Sequence, residues 1–364
     1  MSAPNALQTL RSFGIRVASD AAEYHQLREF DGYLMDATTN PSMMFAAASK
    51  AEYAHIVQDA VDFALGRRPL ASVKEVTALA MDRLLSQVTA QIARIVPGRV
   101  SVSTDPRLAY DTDAIISKAR VLVALLEQLG IPPRRVLVKI PATFEGIRAA
   151  RALEHPPGTG VAPIYTNMTL VFGLIQAAAC AQAGVSVISP FIGRVKDWWE
   201  AQGAPPATEV AQHPGILLVR AIRVAYRAQG TATQILAAGF RAAEEVVELG
   251  AYGPDAGPDC VTIPPTLLAA LRARQQREPR RPLDPSLQLA DAFEGTVPVR
   301  EYFGADLTQG AAAYAQDIFQ EKIATVKVPE GLAKFSADTQ ALEELLRQRV
   351  IAAIETFKGA SAML

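Results

Sequence analysis

The stretch that decides the fold is Met168–Ser189, MTLVFGLIQAAACAQAGVSVIS. It divides into an apolar run (Met168–Phe172), an uncharged helical run (Leu174–Ala183) and a second apolar run (Val185–Ser189). Gly173 and Gly184 mark the joints. Strands buried on both faces read as near-continuous apolar runs, and two of them joined by a helix form a parallel crossover unit. The same alternation runs outward in both directions. Further strands are expected at Ile15–Ala18, Gly32–Ala37, Val100–Ser103, Val136–Ile140, Gln234–Ala238 and Cys260–Ile263, with helices such as Thr112–Leu129 and Ala242–Leu249 between them. Eight strands alternating with helices predict an α/β fold, a closed (β/α)8 TIM barrel, and the length suits it. An open doubly wound sheet is the competing architecture. It would carry a glycine-rich turn after its first strand, and the chain has Ser19-Asp20-Ala21-Ala22 there.

Thr169 to Gly193 carries no charge and is long enough to span a bilayer. Gln176, Gln182, Gly184 and Pro190 interrupt it, so no membrane partner is expected. Half of the 364 residues are hydrophobic and the net charge is −1. No basic excess is present to follow a phosphate backbone, so no nucleic-acid partner is expected. Cys180 and Cys260 lie in apolar surroundings and read as reduced core residues of a cytoplasmic protein. The four histidines, His25, His55, His155 and His213, are scattered, so neither a metal nor a cofactor is expected. The first residues, MSAPNALQTLRSFG, lack the basic-then-apolar layout of a secretory signal. Residues 1–364 are read as one domain: a barrel over about 10–265, a Pro/Arg/Asp-rich loop at 275–298, and C-terminal helices over 310–356 (Gly310–Val326 and Ser336–Thr356).

Arg135-Val136-Leu137-Val138-Lys139-Ile140-Pro141 places a lysine inside an apolar strand. A strand-end lysine commonly snorkels to water. Buried instead, its pKa falls, and the neutral amine can attack a carbonyl. Catalytic groups of a barrel gather at the C-terminal ends of its strands. There, alternation puts Asp36, Thr38 and Asn40 on one side of the second strand, and Asn167 with Thr169 on one side of the fifth. Ser189-Pro190-Phe191-Ile192-Gly193-Arg194 and Gly239-Phe240-Arg241 set two arginines at neighbouring strand ends, which suits a phosphate monoester. Each group also has an ordinary reading: a hydrogen-bonded turn before Pro41, or surface ion pairs.

Together these segments resemble transaldolase. The matching pieces are DATTNPS (Asp36–Ser42), PGRVS (Pro97–Ser101), RLAYDT (Arg107–Thr112), VKIPATFEGIRAA (Val138–Ala150), NMTLVF (Asn167–Phe172), ACAQAGVSVISPFIGRVKDWW (Ala179–Trp199) and GFR (Gly239–Arg241). The resemblance implies a Schiff-base lysine, Lys139, and transfer of a dihydroxyacetone unit from a ketose phosphate to an aldose phosphate in the pentose phosphate pathway. It implies that Thr38 and Asn40 hold the dihydroxyacetone hydroxyls, with Asn167 beside them. Thr169 would position a catalytic water, and Ser189, Arg194 and Arg241 would line the substrate and phosphate sites. Sugar phosphates are the implied partners, and family analogy implies a homodimer.

Two departures stand out. The family pattern S-T-E-V-D-A-R-L carries a glutamate in the third strand, and here Ser103 occupies that position. In the first strand the family reads V-A-D, against Val17-Ala18-Ser19-Asp20. Ungapped alignment picks Ser19 as the counterpart of the carboxylate; strand alternation, which turns Arg16, Ala18 and Asp20 inward, favours Asp20. A smaller change is Gly239, where the family often has a serine. The rival functions are a Schiff-base lyase or carbon–carbon bond-forming enzyme with its proton relay rebuilt around Ser103, and a weakly catalytic sugar-phosphate-binding homologue.

Overall fold

The structure is a computed structural model that describes residues 3–67, 71–203, 209–276, 280–281, 300–304 and 306–361. Most of the expected 275–298 loop lies outside the described residues. Eight parallel strands close into a barrel in chain order. They are β1 (Arg16–Asp20), β2 (Asp36–Thr38), β3 (Val100–Ser103), β4 (Val136–Pro141), β5 (Thr166–Val171), β6 (Val187–Pro190), β7 (Gln234–Ala237) and β8 (Cys260–Ile263). β1 pairs with both β2 and β8, which closes the ring. Among the described residues no helix is long and apolar enough to cross a membrane.

Alternation determines what fills the barrel. Ala18, Leu137, Val187, Leu236 and Cys260 form an apolar plug inside it, with Tyr165 packed against them. Below the plug, Arg16 pairs with Asp36 at 3.0 Å. Gln234 accepts from Arg16 and from Arg99, each at 2.7 Å. Asp36 therefore belongs to the N-terminal end of the barrel, away from Thr38 and Asn40, and its other oxygen accepts the Arg99 N–H at 2.7 Å. The expected grouping of these three is corrected accordingly: a strand advances about 3.3 Å per residue, so inward positions two apart lie in different layers.

β2 begins four residues later than the expected Gly32, because Gly32 takes φ +78 and completes a turn. The C-terminal helices also differ from expectation. They run Leu307–Gln320 and Lys322–Ser361, broken at Glu321 and continuous through Pro329 and Gly331. Helix Lys322–Ser361 packs against helices Pro41–Ala48 and Val73–Ala93 and against β5, so it lies across the C-terminal end of the barrel. Ser42 donates to Asp338, and Arg107 pairs with Glu343 at 2.5 Å. Both contacts tie the helix to segments that follow β2 and β3.

Glu321, between the two C-terminal helices, accepts the Ile175 N–H at 3.1 Å, at the start of helix Leu174–Gln182. Its carboxylate fills the space that a side chain at Gly173 would need. Burial outweighs the hydrogen bonds from that helix start and pushes the carboxyl up to about 7. The folded protein therefore binds more protons than the unfolded chain between about pH 4.5 and 7, and stability is lost as pH rises through that window. Glu321→Gln keeps an acceptor for Ile175 without the charge. Its melting temperature relative to wild type is expected to rise between pH 5 and pH 8; a difference independent of pH would contradict this.

Candidate active site

Lys139 stands on β4 among inward groups, only 5% exposed. Register places Ser103 of β3 on one side of it and Asn167 of β5 on the other. Its Nζ donates to the Thr39 carbonyl at 3.2 Å, and no ion pair to it forms among the described residues. Burial lowers the pKa of Lys139; the nearby Asp20 pulls the other way. Asp20 is raised for the same reason, with Lys139 and then the Thr38 hydroxyl opposing. Desolvation dominates for both members of this pair, so each is shifted toward its neutral form.

Asp20, at the end of β1, accepts from Thr38 Oγ1 at 2.7 Å. The Thr38 hydroxyl has one proton to give. With that proton on Asp20, Thr262 of β8 is the donor in the 2.6 Å contact between the two threonines. The arrangement orders three strands around one carboxylate. Ser19 is fully buried, and its hydroxyl has no partner among the described residues. Of the two residues competing for the first-strand position, the structure places Asp20 beside Lys139.

The other side of the mouth is equally ordered. Asn167 donates to Ser101 Oγ at 3.1 Å and accepts from Ser189 at 2.6 Å, which fixes the orientation of its amide. Thr169 lies on a stretch of β5 where the pairing with β6 shifts register between Met168 and Val171. Such irregularities re-aim side chains. The following residue, Leu170, takes φ +59, a strained conformation costing about 1–3 kcal/mol. Thr169 Oγ1 is buried and has no partner among the described residues. Asn40 caps helix Pro41–Ala48, its side-chain oxygen accepting the Met43 N–H at 3.0 Å. The turn chemistry is therefore real, and the amide nitrogen is not consumed by the cap.

Arg194 and Arg241 lie close enough for their charges to interact. Arg241 is half-exposed and paired with Asp197 at 2.9 Å. Arg194 is more deeply set: its Nη1 is buried without a hydrogen-bond partner among the described residues. Gly193 lets the segments after β6 and β7 meet, since a Cβ there would run into the Gly239 carbonyl oxygen and lie 3.0 Å from Arg241 Nε. Gly239 takes φ +76, a conformation in which a serine would be strained.

Three carboxylates share a cavity with Ser103, and each is ion-paired: Asp105 and Glu343 with Arg107, and Asp82 with Lys118. Ser103 is half-buried. The nearest acidic residue along the chain, Asp105, is held by Arg107 at 2.6 Å and belongs to that ion pair. A cavity of about 70 Å3 adjoins Ser103, with Thr39, Met44 and Asp82 on its walls.

Three participants were outside the sequence reading. Thr262 carries an alternation signal, as an inward polar residue in the apolar run CVTI. The Thr39 carbonyl and Phe335, whose ring lies near Arg194, carry none, because chain segments far apart in sequence bring them there.

The family model described as Transaldolase/Fructose-6-phosphate aldolase matches residues 17–346. The transaldolase of Saccharomyces cerevisiae is 36% identical over 350 residues, 96% of this chain and 97% of the relative. The transaldolase of Trichormus variabilis is 38% identical over 351 residues, covering 95% and 96% respectively. A probable transaldolase of Dictyostelium discoideum is 35% identical over 344 residues, 94% of this chain and 99% of the relative.

Proposed function

Because the chain belongs to the transaldolase/fructose-6-phosphate aldolase family, we propose that it transfers a dihydroxyacetone unit from a ketose phosphate to an aldose phosphate through a Schiff base on Lys139. The observation that carries the proposal is the buried lysine amine whose desolvation favours its neutral, nucleophilic form.

In this mechanism the neutral Lys139 amine adds to the ketose carbonyl, and the resulting carbinolamine takes up one proton and loses water, giving an iminium. Asp20 takes the proton from the C4 hydroxyl, the C3–C4 bond breaks, and its electrons pass into the iminium to form an enamine. An aldose phosphate departs. The enamine attacks the aldehyde of a second aldose phosphate, and hydrolysis frees Lys139. A carboxylate whose pKa is raised by burial suits repeated uptake and return of one proton. Thr38, Asn40, Asn167 and Ser189 would hold the hydroxyls of the three-carbon unit, and Thr169 would hold the water of the addition and hydrolysis steps. The corresponding setting is a cytoplasmic enzyme of sugar-phosphate metabolism acting as a homodimer.

Transfer is tested by supplying fructose 6-phosphate with erythrose 4-phosphate and following a seven-carbon ketose phosphate. Its absence under conditions where Lys139 reacts would refute transfer. Ser103 favours a second reading, a Schiff-base lyase, because the usual relay carboxylate is missing. A lyase releases free dihydroxyacetone from fructose 6-phosphate alone.

Arg194 and Arg241 would bind the substrate phosphate. Each charged hydrogen bond lost is worth about 1.5–3 kcal/mol, so Arg194→Ala or Arg241→Ala is expected to raise KM for phosphorylated sugars roughly ten- to hundredfold. KM for dihydroxyacetone should change little; equal losses on both would contradict the role.

A further inference from the structure

The two arginines are held by different means. Asp197 occupies donors of Arg241. Arg194 feels the charges of Glu330 and Asp197, but its buried Nη1 bonds to neither among the described residues, and the guanidinium lies near two aromatic rings: its Cζ is 5.6 Å from the centroid of Phe191 and 5.8 Å from that of Phe335. Phe191 follows β6, whereas Phe335 belongs to the C-terminal helix and is 8% exposed. The helix approaches closely at Gly331, where a Cβ would lie 2.9 Å from Arg194 Nη1 and 2.8 Å from Leu170 Cδ2. An aromatic face attracts a guanidinium without supplying an acceptor that its N–H groups must give up. A carboxylate in the same place would compete with an incoming phosphate.

We propose that Phe335 is a positioning residue for the phosphate site, holding the Arg194 guanidinium in place with its donors free, so that the C-terminal helix takes part in selecting phosphorylated substrates. This rests on the assignment of Arg194 to the phosphate. The aromatic contacts restrict the guanidinium before substrate arrives, and the buried Nη1 gains its partner when phosphate binds. Ordering cost is thereby removed from the binding step. The ties from Ser42 to Asp338 and from Arg107 to Glu343 hold the helix to segments after β2 and β3. Gly331 and Phe335, one helical turn apart, hold the Arg194 end.

The test compares Phe335→Leu, Phe335→Tyr and Arg194→Ala in the full chain, measuring KM and kcat for fructose 6-phosphate and for dihydroxyacetone. Phe335→Leu removes the ring face. It is expected to raise KM for fructose 6-phosphate about three- to tenfold, leaving kcat and the values for dihydroxyacetone near wild type. Phe335→Tyr, which keeps the ring, should retain the wild-type KM. On an Arg194→Ala background, Phe335→Leu should add nothing further. If Phe335→Leu folds poorly, Phe335→Met gives the same comparison with an unbranched apolar side chain. Equal losses on both substrates, or failure of Tyr to rescue, would overturn the proposal. If Arg194→Ala itself spares phosphate selectivity, the phosphate assignment fails; if it abolishes selectivity while Phe335→Leu does not affect it, only the role of Phe335 fails.

Discussion

Lys139→Met is expected to reduce transfer by at least about a thousandfold and leave the fold intact. The kinetic half follows from the mechanism. Without an amine there is no iminium, hence no sink for the electrons of the breaking bond, and loss of a nucleophile leaves only the residual contribution of binding and electrostatics. The structural half follows from the surroundings. The Lys139 stem is packed inside the barrel, and among the described residues its amine makes one hydrogen bond, to the Thr39 carbonyl. Methionine has similar length and flexibility, and volume-conserving exchanges in a core usually cost less than about 1.5 kcal/mol. Removing the lysine also removes the neighbour that lowers the pKa of Asp20, so the carboxyl of the variant should titrate higher than in wild type. Steady-state rates, a thermal melt and the Asp20 titration by NMR check the three parts. Activity within tenfold of wild type in a folded Lys139→Met protein would remove Lys139 from the chemistry.

The second large effect is a gain. Ser103 is in register with Lys139, where the family pattern carries a glutamate. A serine hydroxyl does not serve as a base at neutral pH without help, and Asp105 is engaged by Arg107. General acid–base assistance contributes roughly 10²–10⁴-fold. Ser103→Glu is therefore expected to raise turnover of fructose 6-phosphate with erythrose 4-phosphate at least about tenfold, allowing for imperfect placement of the new carboxylate. Unchanged or lower turnover would mean that the substitution is not the bottleneck, with Asp20 alone handling the protons.

The barrel was legible because its strands are short apolar runs at regular spacing, and alternation along them is a local property. The same rule turned Asp20 inward in place of Ser19, and Thr38 lies beside Asp20 through the pairing of β1 with β2. It failed for Asp36, since alternation gives the side a residue faces and not the layer it occupies. The expected gap between the C-terminal helices, from Val326 to Ser336, is helical instead, although it contains Pro329 and Gly331 and an interior proline costs a helix about 3 kcal/mol. Packing across the barrel maintains the helix through both, and Gly331 is where Leu170 and Arg194 come close. Phe335 was invisible for the same reason, because its partner lies more than a hundred residues away in sequence.

Borohydride trapping tests Lys139 as the Schiff-base residue most directly. The protein is incubated with fructose 6-phosphate, reduced with borohydride, digested and mapped by mass. A three-carbon adduct on the peptide containing Lys139, absent from Lys139→Met, is the predicted result. An adduct on a different lysine, or none while sugar-phosphate turnover proceeds, would contradict it.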